Sequence, residues 1–256
     1  MSGSVIISGP PLESRFRELS GATLNELLDR AVARTPDAIA LVIRRDLRDE
    51  RWSYRHLGQV VERVAATLAR TGMEPGDRVL TWSQNDPWLV AAYFAVWRLG
   101  AVVVPLDLRM QTDVAVRIGR RAQASLLLAG ADVDRDVAAQ LDLPILSVDE
   151  AGLDPAGSRP RSPTTQPPVA SGDLAEVIFT SGTTSDPKGV MLTHGQVIHS
   201  AQAIAQTAMD TRPDRALAII PLSHMYGQTV PLLMGFMGGS TLVFLHALSP
   251  QALRAT

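Results

Sequence analysis

The chain has 256 residues, 46% of them hydrophobic and 20% charged, with a formal net charge of −2 and no cysteine. That length allows one large domain or two small ones around a substantial core, and the near-neutral charge offers no basic field for nucleic acid or an anionic membrane. The missing cysteines exclude disulfides, thiolate metal sites and a cysteine nucleophile, and they fit a reducing, cytoplasmic setting.

The opening M-S-G-S-V-I-I-S-G-P-P has no basic n-region and no long apolar stretch, so it does not read as a signal peptide. Helices and short apolar strands then alternate. Thr23 is the expected N-cap of T-L-N-E-L-L-D-R-A-V-A-R, with Glu26 three residues on as a capping box. A-I-A-L-V-I over 38–43 reads as a strand. W-S-Y at 52–54 leads into the helix R-H-L-G-Q-V-V-E-R-V-A-A-T-L-A-R, which Gly72 ends. R-V-L-T-W-S over 78–83 is the next strand. Asp86 caps the following helix, Pro87 opens it and Gly100 stops it. Strands are expected at 101–106, 125–129 and 144–148, with helices near 112–123 and 131–140 between them.

Apolar strands separated by amphipathic helices predict βα units. The expected fold class is α/β, with mostly parallel sheets flanked by helices. Neither G-x-G-x-x-G nor the Walker pattern follows any of these strands, so a common dinucleotide or P-loop reading has no motif behind it. Residues 151–172 are rich in Pro, Gly, Ser and Thr and lack periodicity. They read as an exposed linker between a first α/β lobe over 1–150 and a second over 173–256. Thr229 to Leu248 contains no Asp, Glu, Lys or Arg and is long enough to span a bilayer. Pro231, Gly235, Gly238, Gly239 and His246 interrupt it, so a short helix and the buried strand S-T-L-V-F-L are expected in place of a membrane span.

The second lobe carries the strongest chemical signal. E-V-I-F-T over 176–180 is a strand that enters the loop S-G-T-T-S-D-P-K-G. Ser181, Thr183 and Thr184 offer hydroxyls, and Gly182 lets the backbone approach a ligand closely. Successive backbone N–H groups in such a turn form an anion nest. Pro187 limits its flexibility. Lys188, the only lysine in the chain, adds a mobile ammonium that can follow a phosphate. The other basic residues are all arginine, a bias that reads as compositional.

F-T-S-G-T-T-S-D-P-K-G resembles the phosphate-binding signature of the adenylate-forming enzyme superfamily, which includes acyl-CoA and aryl-CoA synthetases, nonribosomal adenylation domains and beetle luciferases. W-S-Y-R-H-L (52–57), W-R-L-G-A-V-V-V-P-L-D (97–107) and P-L-S-H-M-Y-G (221–227) resemble further blocks of that family in the right order. The resemblance runs from about Thr23 onward. Ser185 departs from it, standing where many members have glycine. The resemblance implies that Thr180, Ser181, Gly182, Thr183, Thr184 and Lys188 hold the β- and γ-phosphates of ATP. It implies attack of a carboxylate on the α-phosphate, giving acyl-AMP and pyrophosphate. Transfer of the acyl group to a thiol follows, either that of coenzyme A or that of a carrier protein. Mg²⁺ is implied with the ATP, its protein ligand lying outside this chain.

His224 follows the expected strand A-L-A-I-I (216–220), on the side where a parallel sheet presents its ligand crevice. With Tyr226 and Gly227 it is expected to border the acyl pocket. Residues 216–231 contain no acid, and a buried ammonium needs a counter-charge, so the favoured substrate is a carboxylic acid without an amine. His56, His194, His199 and His246 are scattered and suggest no metal site. His194 reads as a structural residue near the cap of its helix. The family's remaining parts lie downstream, and Ser249 and Pro250 open a helix that stops at Thr256. The chain is therefore expected to be at most the first half of a ligase, completed by a complementary C-terminal polypeptide. Two alternatives stay open: a non-catalytic nucleotide-binding module, and part of an adenylation domain that loads a carrier protein.

Overall fold

The computed structural model describes residues 18, 21–45, 48–154, 168–180, 187–208 and 214–245. The elements in order are α1 (Leu24–Arg34), β1 (Ile39–Arg45), β2 (Arg48–Ser53), α2 (Tyr54–Arg70), β3 (Arg78–Trp82), α3 (Pro87–Arg98) and β4 (Val102–Leu106). Then come α4 (Thr112–Ala122), β5 (Leu126–Ala129), α5 (Arg135–Ala139), β6 (Ile145–Ser147) and α6 (Glu150–Leu153). The last stretch holds β7 (Leu174–Thr180), β8 (Lys188–Thr193), α7 (His194–Ala208), β9 (Arg215–Leu217), α8 (Met225–Gly227), a π-helix (Gln228–Met234), α9 (Gly235–Gly238) and β10 (Thr241–Leu245).

The helix ends follow the local chemistry. Thr23 Oγ1 accepts from the Glu26 N–H at 3.1 Å. The Glu26 carboxylate reaches back to the Ala22 N–H, one residue before the position a standard capping box uses. Asp86 accepts from the Trp88 N–H at 2.8 Å, and Pro87 occupies the first helical position of α3. Gly72, Gly100 and Gly239 all take the left-handed conformation after their helices, where a side chain would be strained.

Two sheets form. One has the order β2-β1-β10-β9 and the other β6-β5-β3-β4-β7-β8. The inner pairings β1/β10, β3/β4, β3/β5 and β4/β7 are parallel, as the α/β reading expects. Both sheets also carry an antiparallel hairpin at one edge, β1/β2 and β7/β8. Each sheet draws strands from both sides of residues 151–172. Order also continues past 150, because α6 packs with Leu153 fully buried and Asp154 pairs with Arg63 at 2.7 Å. Residues 155–167 of the expected linker lie outside the described residues, as do Ser249 and Pro250.

Helices α1, α2, α3 and α7 share one core with one face of each sheet, so they are held between the two sheets. Every residue of α3 from Pro87 to Trp97 is buried, which is how a helix that is apolar all round must sit. Trp97 and Tyr93 are among the largest fully buried side chains. On the far face of the six-stranded sheet, α4 packs Ala115 and Ile118 against β3, β4 and β5. The interrupted segment after Thr229 becomes the π-helix, α9 and β10, and among the described residues no helix is long and apolar enough to cross a membrane.

Candidate active-site cleft

A cleft of about 790 Å³ opens at the carboxyl ends of β4 and β7. Loops diverge there in a parallel sheet and leave room for a ligand. β4 leads into Asp107 and Arg109. β7 supplies Phe179 and Thr180, and the segment after β9 brings Ser223 and His224. Helix α4 walls the cleft with Val114, Arg117 and Ile118. Asp107, Arg109 and Ser223 also line a second hollow of about 290 Å³, which reaches Leu217 and Leu245 of the four-stranded sheet.

Thr180 and Lys188 are the closing pair of the β7–β8 hairpin. Thr180 and Pro187 line the cleft, and Lys188 stands exposed at the hairpin mouth. Ser181, Gly182, Thr183 and Thr184 lie outside the described residues, so only the two ends of the expected phosphate loop are placed.

His224 enters the cleft in company that the sequence reading did not name. Its Nε2 lies 2.8 Å from Asp107 Oδ2. The Arg109 backbone N–H and guanidinium both donate to the Asp107 carboxylate, at 2.8 and 3.0 Å to Oδ1 and 2.8 Å to Oδ2. Arg109 holds the Asp107 carboxyl well below the usual carboxylate range, aided by His224 and opposed by partial burial. An ionised carboxylate only accepts hydrogen bonds, so the His224 nitrogen facing it carries a proton. An acid therefore does stand beside the expected acyl pocket, delivered from β4, although 216–231 hold none. Arg109 already matches its charge, so it is not a vacant counter-charge for a substrate ammonium.

Neutralising this carboxylate should loosen the cluster. Asp107→Asn is expected to cost about 1 kcal/mol of stability, since Arg109 is largely solvated and its pairing is screened. The folded carboxyl sits below its ordinary value. The gap between wild type and variant should thus be full above about pH 4 and shrink as pH falls below it, as urea titrations across that range would show.

Tyr226 and Gly227 are not among the residues lining the cleft. Tyr226 is 59% exposed. Gly227 is buried, and a Cβ there would run into the Pro221 carbonyl oxygen, so its glycine serves a close backbone approach. The strand before them is shorter than expected, because β9 ends at Leu217. Beyond it, Asn85 takes the place of a neighbouring strand. Its Nδ2 donates to the carbonyls of Ala218 (3.2 Å) and Ile220 (2.9 Å), and its Oδ1 accepts from the Leu222 N–H at 2.8 Å. The Leu222 carbonyl accepts from Tyr93 Oη and from Gln228 Nε2. The Leu222 peptide is thus gripped on both sides, two residues before His224. Asp107 and Asn85 share the signal that pointed to His224, since each follows the carboxyl end of a parallel strand.

His194 is fully buried, and its Nδ1 accepts from the Leu24 N–H at 3.3 Å, which fits the structural role expected of it. Burial pushes its pKa down to about 4, so it is neutral. His199 is exposed on α7, and His246 lies outside the described residues.

A mostly parallel α/β sheet with a cleft at its strand ends, bordered by the mouth of the β7–β8 hairpin, is the architecture of a ligand-binding α/β protein. The chain belongs to the AMP-binding enzyme family, whose model matches residues 28–255. It is 35% identical over 251 residues to a (7a-methyl-1,5-dioxo-octahydro-1H-inden-4-yl)propanoyl:CoA ligase of Mycobacterium tuberculosis, covering 91% of this chain and 49% of that one. A crotonobetaine/carnitine–CoA ligase of Escherichia coli is 29% identical over 218 residues, covering 79% of this chain and 42% of that one. The chain thus spans about half the length of the relatives it matches. The fold is also that of O-succinylbenzoate coenzyme A synthetase from Bacillus subtilis, solved with AMP. The TM-score is 0.78 at 26% identity, over 89% of this chain and 57% of that one. A Mycobacterium tuberculosis fatty acyl CoA synthetase superposes with a TM-score of 0.80 at 23% identity, over 91% of this chain and 47% of that one.

Proposed function

We propose that the chain is the N-terminal part of an ATP-dependent acid–thiol ligase that takes an amine-free carboxylic acid to its acyl-AMP and then to a coenzyme A thioester. The observation that carries this reading is the meeting of Thr180, at the hairpin mouth, with His224 and Asp107 in one cleft. A carboxylate oxygen attacks the α-phosphorus, the bond to the β-phosphate oxygen breaks, and pyrophosphate leaves. A thiol sulfur then attacks the acyl carbon, and AMP leaves. The loop from Thr180 to Thr184 and Lys188 would neutralise charge gathering on the leaving pyrophosphate. His224, held by Asp107, would meet the acid at the cleft wall. The magnesium of the ATP complex would be held mainly by the phosphates, with its protein ligand outside this chain.

The coenzyme A acceptor rests on the names of the relatives, and a cytoplasmic location on a reaction that consumes ATP. Val190 and Met191 on β8 and Ile219 and Ile220 after β9 are exposed. Together with the greater length of the relatives, they support a complementary C-terminal region packing there.

The test has two parts. Calorimetric ATP titration of the chain should detect binding that Lys188→Ala weakens by about 10- to 100-fold, the scale of one lost charge-assisted contact. The natural polypeptide that carries this chain should exchange labelled pyrophosphate into ATP when a carboxylic acid is supplied. ATP binding without exchange for any acid would favour the non-catalytic module. Equal ATP affinity in wild type and Lys188→Ala would remove the phosphate-loop reading.

A further inference from the structure

Glu176 is a second acid near the cleft, and the chemistry above does not use it. It lies in the middle of β7, four residues before Thr180, and is fully buried. Its register neighbours are apolar, Val103 on β4 and Leu192 on β8. The β7–β8 register shifts between Leu174 and Glu176. Ala175 and Val177 consequently pack in different cores, although simple alternation would put them on one face. The extra residue of the bulge is Ala175, so Ala175 and Glu176 lie on the same side of the sheet.

The partner on its far side is Gln228, the first residue of the π-helix and also fully buried. The Gln228 amide is near enough to the Glu176 carboxyl to favour its ionised form, against the stronger effect of burial. Gln228 Nε2 is committed to the Leu222 carbonyl at 2.8 Å. That leaves three buried oxygens without a donor: both of Glu176 and Oε1 of Gln228. Gln228 Nε2 has one further N–H that can serve a Glu176 oxygen, but a charged carboxylate with so few donors is costly in the core. A proton on Glu176 removes the charge and supplies a donor that Gln228 Oε1 can accept. The other ionisable group coupled to Glu176 is the Tyr93 hydroxyl on α3, which itself donates to the Leu222 carbonyl.

We propose that Glu176, as the neutral acid, and Gln228 form a hydrogen-bonded latch that ties the strand entering the phosphate loop to the segment that carries His224. The pair is a positioning device, and its functional consequence rests on the phosphate-loop reading. The latch runs from β7 through Glu176 and Gln228 to the Leu222 peptide, so the two halves of the cleft share one buried polar chain. Ionising Glu176 breaks it, by putting a charge in the core and by removing the donor to Gln228 Oε1.

Burial pushes the Glu176 pKa up to about 8, with the Gln228 amide opposing. The folded state therefore holds a proton that the unfolded state has released above its ordinary value of 4.5. Stability from this group is full below that value, falls as pH rises, and levels off above about 8. Glu176→Gln keeps the shape and the donor and cannot ionise.

The experiment compares wild type with Glu176→Gln and Gln228→Leu. Wild type should show the infrared carbonyl stretch of a protonated carboxylic acid at neutral pH, and Glu176→Gln should lack that band. Between about pH 6 and about pH 9 the Tm of wild type should drop relative to Glu176→Gln by about 4 °C or more. ATP affinity of wild type should fall about fivefold over the same range, with Glu176→Gln unchanged. Gln228→Leu should lose the effect of pH on ATP binding while keeping the infrared band. Parallel Tm profiles in wild type and Glu176→Gln, or no acid band, would overturn the latch. Absence of ATP binding in all three proteins would overturn the phosphate-loop reading instead, and the infrared and Tm results would still decide whether the latch exists.

Discussion

Trp97→Ala is expected to lower stability by about 3–5 kcal/mol, the range for truncating a large buried aromatic. Trp97 is fully buried, and its indole N–H donates to the Ala175 carbonyl at 3.0 Å. Its ring meets Tyr93 at 5.7 Å and Phe94 at 5.2 Å, both edge-on. The same residue accepts from Asn25 through its backbone carbonyl. One side chain therefore joins α3 to β7, and its backbone to α1. Alanine leaves a cavity and an unpaired carbonyl on β7. For a chain of this length the loss corresponds to a Tm drop of roughly 10 °C. Trp97→Phe should recover part of it, by filling volume without restoring the hydrogen bond. A drop of less than about 1 kcal/mol for alanine would mean that α3 is not the central helix described here.

Asn85→Ala should strike the cleft more than the core. The substitution frees two carbonyls and one N–H of the 218–222 segment. Water can reach part of that segment, so the stability cost should be about 2 kcal/mol. The larger effect is positional. His224 depends on this clamp for its place opposite Asp107, and a displacement near 1 Å in a reacting geometry costs about 100-fold in rate. Carboxylate-dependent pyrophosphate exchange should fall by about that factor, while ATP affinity stays within about twofold of wild type. Asn85→Asp keeps the acceptor for Leu222 and loses both donors, so it should fall between the two. Equal losses of ATP affinity and exchange would indicate general unfolding of the region and would sink the clamp.

What could be read in advance was what is local. Thr23 and Asp86 announce their helices because a capping side chain bonds two or three residues away. Gly72, Gly100 and Gly239 mark helix ends because the left-handed turn is strained for other residues. The two antiparallel edge strands were not legible. R-D-E-R-W-S is nearly all polar, and K-G-V-M-L-T leaves Val190 and Met191 exposed, so neither shows an apolar face to count. The site was visible only in halves. The hairpin ends and His224 could be chosen from their own neighbourhoods. Asp107 could not be matched with His224, nor Asn85 with Leu222, because each partner lies more than a hundred residues away. Glu176 looked like the polar start of a strand, and nothing in its own neighbourhood showed that both faces of β7 are covered.

The pairing of β1 with β10 sets when the four-stranded sheet can form. Leu41 to Arg44 hydrogen-bond alongside Leu242 to Leu245, and Tyr54 Oη closes on the Ser240 carbonyl. A ribosome adds about 5–20 residues per second, so β1 waits about 10–40 s for its neighbour to emerge. Throughout that interval the β1–β2 hairpin keeps one hydrogen-bonding edge open, beside helices that already need covering. Contacts of such long sequence separation also form slowly once the strand is available. The four-stranded sheet is thus the last part of the described structure to close.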